Sequence, residues 1–113
     1  MNVDNLKRVK TKMEFVKITS TKDLISDKMM GVKVDDKEIL IANLAGKYYA
    51  IGNNCTHRGC KLSEGILKGS SVQCPCHGST FDIKTGNVLK GPANKPENVF
   101  QVKVEGDKIL VKA

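Results

Sequence analysis

The chain has 113 residues, 40% hydrophobic and 27% charged, the balance of a single small globular domain. Its formal charge of +7 comes from seventeen lysines and two arginines, yet only Lys7-Arg8-Val9-Lys10-Thr11-Lys12 forms a run; with no tryptophan to stack a base, nucleic-acid binding is set aside. No apolar stretch approaches the roughly 18–20 residues of a membrane span, and the polar opening Asn2-Val3-Asp4-Asn5 carries no secretory signal, so a cytoplasmic protein is expected.

Residues 1–12 read as a basic extension before a domain spanning 13–113. Met13 to Ile18 alternates β-branched or aromatic residues with charges, as a first strand does. Lys22 to Asp27 reads as a short helical turn or loop. Gly31-Val32-Lys33-Val34, the turn Asp35-Asp36-Lys37, and Glu38 to Leu44 make a hairpin, and Ala45-Gly46-Lys47 turns into Tyr48-Tyr49-Ala50-Ile51. After a long interruption, Asn98 to Val104 alternates cleanly, Glu105-Gly106-Asp107 turns, and Lys108 to Val111 returns. Short strands separated by Gly, Asp and Asn predict an antiparallel all-β fold. The interruption, about 52–96, holds seven of the ten glycines, all three prolines and all four cysteines. It reads as an inserted lobe shaped by turns and by a metal it carries.

Two clusters in that lobe contain every cysteine and histidine of the chain: Cys55-Thr56-His57-Arg58-Gly59-Cys60 and Cys74-Pro75-Cys76-His77-Gly78-Ser79. Cys55 and His57 flank one residue, and Cys74 and His77 flank two, so each pair can turn toward one site. Sixteen residues lie between His57 and Cys74, enough for a return pair of strands that presents the clusters as facing loop tips. A tetrahedral Cys₂His₂ zinc site is one candidate, although zinc sites usually group two cysteines on one side and two histidines on the other. A two-iron cluster with two cysteines on one iron and two histidines on the other is the second. Loops of mixed composition suit it, because each delivers its Cys to one iron and its His to the other. The four cysteines permit three disulfide pairings, and spacing does not choose among them.

Cys-Thr-His and Cys-Pro-Cys-His-Gly-Ser, followed by Phe81-Asp82 and Gly91-Pro92-Ala93, resemble the motifs of Rieske [2Fe–2S] proteins, and the likeness runs over about 13–113. The resemblance implies an antiparallel β-sandwich with a small cluster-binding lobe, and one [2Fe–2S] cluster held by Cys55, His57, Cys74 and His77. His57 and His77 would stand on the outer iron. It also implies a Cys60–Cys76 disulfide, since cysteines matching these two are bridged in the Rieske proteins of cytochrome bc complexes; many soluble Rieske ferredoxins lack both. Histidine ligation leaves the oxidised cluster neutral, which is why such centres lie at roughly −150 to +300 mV, above all-cysteine clusters near −400 mV.

Further roles follow from the same likeness. Ser79 matches a serine whose hydroxyl donates to a bridging sulfide. Phe81 stands where the members of highest potential carry a tyrosine. Arg58 replaces a leucine of the quinol oxidisers and, with Lys61, makes the tip basic, which suits acidic docking surfaces on redox partners. Residues Gly91 to Pro96 resemble the proline loop that covers one side of the cluster. The implied function is a soluble one-electron carrier between a reductase and an acceptor such as an oxygenase, not an enzyme in its own right. The alternatives are the electron-transfer domain of a quinol-oxidising cytochrome bc-type complex, which the extra cysteines favour, and a small subunit of a nitrite reductase.

Overall fold

A computed structural model describes residues 15–113; the 1–12 extension and the first two residues of the expected opening strand lie outside the described residues. Among the described residues there are ten strands: β1 (Phe15–Ser20), β2 (Lys28–Val34), β3 (Lys37–Leu44), β4 (Lys47–Gly52), β5 (Ile66–Lys68), β6 (Ser71–Gln73), β7 (Thr80–Asp82), β8 (Val88–Lys90), β9 (Val99–Glu105) and β10 (Lys108–Lys112), with one 3₁₀ turn at Leu62–Glu64. The six longer strands form one antiparallel sheet in the order β1-β10-β9-β4-β3-β2, and the four short ones form a second, β5-β6-β7-β8.

The larger sheet folds over on itself, so that β1, β10 and β9 face β2, β3 and β4. Its two free edges approach, and Val16 and Ile18 of β1 line a groove with Val32 and Val34 of β2. The interior between the halves holds Leu24, Ile39, Ile41, Ala50, Ile109 and Val111. A second apolar core lies between this sheet and the lobe, built by Leu40, Ala42, Leu44 and Ile51 from below and by Leu62, Val72, Phe81 and Ile83 from above. Strand β3 belongs to both cores. Successive side chains of a strand point to opposite faces, so Ile39 and Ile41 enter one core while Leu40, Ala42 and Leu44 enter the other. This explains why Ile39 to Leu44 is an unbroken buried run.

Strand β2 begins at Lys28, three residues before the expected Gly31, and pairs with β3 from Lys28↔Asn43 to Val34↔Lys37. Met29, Met30 and Gly31 have little intrinsic strand preference, and their pairing with β3 overrides it. The return pair expected between the two clusters is the β5–β6 hairpin, which turns at Gly69 with φ +57°. The lobe also adds β7 and β8, giving it a sheet of its own.

Candidate metal centre

The two cysteine–histidine segments fold into matching six-residue loops. In the first, the Cys55 amide donates to the Cys60 carbonyl (2.8 Å) and the Gly59 amide to the Cys55 carbonyl (2.7 Å). In the second, the Cys74 amide donates to the Ser79 carbonyl (2.7 Å) and the Gly78 amide to the Cys74 carbonyl (3.2 Å). The fifth residue of each loop is left-handed, Gly59 at φ +79° and Gly78 at φ +82°, a conformation glycine adopts without a steric penalty. Each loop therefore starts on a cysteine fixed by two backbone bonds and carries its histidine at the tip.

The structure brings the four sequence-selected side chains to one end of the lobe in two tiers. Cys55 and Cys74 are free thiols, each 3% exposed, packed with Leu62, Val72, Phe81, Ile83 and Ala93. His57 is half-buried and His77 exposed. Their rings lie 5.3 Å apart and nearly perpendicular. Cys60 and Cys76 form a disulfide, with Cα atoms 6.4 Å apart, that ties the first loop to the second. Burial pushes the Cys55 thiol up, with the neighbouring Cys74 thiol adding to the rise, while the backbone amides of His57 and Arg58 favour the thiolate. Soft anionic ligands in an apolar pocket need a metal to hold them deprotonated. Two buried thiols beneath two surface imidazoles match the donors of a cluster with cysteines on its inner iron and histidines on its outer one.

The segment Gly91 to Pro96 closes one side and is bonded to both loops. The Ala93 amide donates to Ser79 Oγ (3.0 Å), and Thr56 Oγ1 donates to the Lys95 carbonyl (2.7 Å). Ser79 is fully buried, and its Oγ accepts from Ala93, so its own proton is not used in that bond. Phe81 is fully buried in β7 beneath the thiols. Arg58 is exposed on the first loop. Lys61, expected beside it on the basic tip, instead forms an ion pair with Glu38 of β3 at 3.2 Å.

The profile of the Rieske [2Fe–2S] domain matches residues 14–111 of this chain. The chain belongs to the Rieske family. A Ralstonia protein, the ferredoxin component of naphthalene 1,2-dioxygenase/salicylate 5-hydroxylase systems, is 37% identical over 90 residues, covering 80% of this chain and 86% of that protein. The ferredoxin component of biphenyl 2,3-dioxygenase from Rhodococcus jostii is 36% identical over 99 residues, covering 88% and 92%. Among solved structures, a chain from the complex of reduced oxygenase and oxidized ferredoxin in carbazole 1,9a-dioxygenase superposes with a TM-score of 0.83 at 29% identity, covering 88% of this chain and 94% of that one. This Rieske protein is thus an electron carrier whose family cofactor is one [2Fe–2S] cluster, and its fold is the expected all-β one. Among the described residues, no helix is long and apolar enough to cross a membrane.

Thr56 and Ala93 lie inside the motifs read from the sequence, but their bonding partners are not legible there, and Glu97 is not singled out at all. Thr56 and Ala93 work through bonds to segments 39 and 14 residues away in sequence, and no local pattern encodes such partners. Glu97, between Pro96 and Asn98, has the appearance of an exposed loop charge but is 8% exposed.

Proposed function

We propose that Cys55, His57, Cys74 and His77 are the cluster ligands of this Rieske protein, with Ser79 donating toward a sulfide, and that the chain is the ferredoxin component of an oxygenase system. The observation that supports the ligand set best is the separation into two buried free thiols and two imidazoles at the surface, with the remaining cysteines bonded to each other. When bound, the cluster takes up and gives back one electron. Cys55 and Cys74 anchor it in the apolar floor, and the disulfide and the 91–96 segment hold the loops closed around it. His57 and His77 stand where a partner's redox centre can approach.

Likeness to ferredoxin components of several ring-oxidising systems favours an oxygenase as acceptor and a reductase as donor. A cytoplasmic location and a domain occupying 13–113 are parts of this reading. Partner surfaces are acidic where they meet Arg58, with Lys61 nearby and held by Glu38.

Two experiments test the proposal. The protein purified with its cluster is red-brown and gives a Rieske electron paramagnetic resonance (EPR) signal on reduction. Cys55→Ser, His57→Ala, Cys74→Ser and His77→Ala each abolish that signal, and its survival in any of the four overturns the ligand set. Mixed with a reductase and a terminal ring-hydroxylating oxygenase, the reduced protein supports product formation. Failure there, together with oxidation of a quinol coupled to cytochrome reduction, assigns the chain to the quinol-oxidising class instead.

A further inference from the structure

Behind the first loop lies a buried carboxyl that electron transfer by the cluster does not itself require. Glu97 is 8% exposed, and its Oε2 is buried with no hydrogen-bond partner among the described residues. Two glycines make room for it: a Cβ on Gly52 would meet Glu97 Oε1, and a Cβ on Gly86 would strike the Glu97 carbonyl oxygen. The Glu97 amide donates to the Gly86 carbonyl (2.8 Å), and the Gly52 amide donates to the carbonyl of Asn98 (2.9 Å), so the backbone around it is fixed on both sides. The carboxyl faces the backbone N–H of Thr56, the residue between Cys55 and His57. The Thr56 hydroxyl is bonded to Lys95, two residues before Glu97. Lys95 thus bonds the Thr56 side chain, while the Thr56 amide favours the charged form of the Glu97 carboxyl.

A leucine in this cradle would fill the same space and leave no buried oxygen unpartnered, an arrangement that costs stability. A carboxyl kept there despite that cost points to a use. We propose that Glu97 is a positioning residue for the cluster: it holds the Thr56 amide, fixes the geometry of Cys55 and His57, and sets the field they experience. The charged residues that share its cavity are Asp36, Lys37 and Glu38, with Glu38 already paired to Lys61, and the Gly86 turn meets it with backbone. No lysine or arginine is paired with the Glu97 carboxyl among the described residues, so its charge, when present, opposes addition of an electron nearby.

The inference rests on the ligand set proposed above, and the test separates the two. The cluster-loaded native protein, E97Q and E97L are compared by EPR, by reduction potential at pH 8, and by the half-life of cluster colour. E97Q keeps an acceptor for Thr56 and removes the charge. It retains the native EPR signature and shows a higher potential. E97L removes both, so its g-values shift and its colour fades severalfold faster while its β-sheet circular dichroism stays native. A native potential in E97Q, or native g-values and half-life in E97L, overturns the role of Glu97. If E97L does not fold, the potential of E97Q alone decides. Absence of a Rieske signal from the native protein overturns the ligand set instead.

Discussion

Burial acts in the same direction on Cys55 and Glu97, raising the pKa of each, because an ion loses its hydration in an apolar pocket. On the proposed ligand set Cys55 escapes this by bonding the cluster, whereas Glu97 holds its proton up to about pH 7 against an ordinary value of 4.5. The effect on stability has a definite sign. Below the ordinary value both the folded and unfolded chains are protonated; above it the unfolded chain releases the proton while the folded one keeps it until about pH 7. Stability present in acid is therefore lost as pH rises through that window, by at most about 3 kcal/mol. Urea denaturation at pH 5 and pH 8 checks this: the native protein loses stability relative to E97Q, and parallel losses in the two count against it. Ser79 and Phe81 act on potential rather than stability. On the proposed role of Ser79, Ser79→Ala removes a donor to the cluster and lowers the potential, while Phe81→Tyr places a hydroxyl beside the buried thiols and raises it. Voltammetry that finds neither shift removes this account of the site.

At the scale of elements, the two loops, the disulfide and the 91–96 segment form one closed frame. The disulfide joins the loops, Ser79 bonds the segment to the second loop, and Thr56 bonds it to the first. Replacing Cys60 and Cys76 together by serine opens one side of the frame. A crosslink of this kind contributes roughly 2–4 kcal/mol, so the thermal midpoint read from cluster colour falls, and an unchanged midpoint would show that the segment alone holds the loops. Much of this frame was legible in sequence, because ligand-forming residues are few and were confined to two segments. The lobe's own sheet was not, because strands as short as Thr80–Asp82 and Val88–Lys90 offer no periodicity to recognise. Strand β2 was legible only from Gly31 onward, since Lys28 to Met30 are strand by virtue of their partner in β3. Lys61 also carried no signal that Glu38, 23 positions away, would engage it.

For the whole molecule, β3 is the shared wall of two cores, one internal to the large sheet and one beneath the lobe. The metal-centre end thus rests on a strand buried from both sides. Charge is distributed differently: the chain carries +7, and Arg58 stands exposed beside the proposed outer ligands. A cationic patch at an encounter surface raises association rates with acidic partners and makes them fall with ionic strength. Stopped-flow oxidation of the reduced protein by its acceptor is expected to slow with added salt, and Arg58→Glu is expected to slow it by about tenfold at low salt. Equal rates in the two proteins would place the docking surface elsewhere.

The tiered arrangement of thiols and imidazoles carries a kinetic consequence. On the proposed ligand set, the sulfurs are walled in and only the imidazoles reach solvent, so charge has a single doorway. Donor and acceptor must take turns at the same threshold, and a standing chain of three proteins cannot form around one carrier. An excess of redox-inactive donor then delays delivery to the acceptor by occupying the doorway, without altering the cluster's potential.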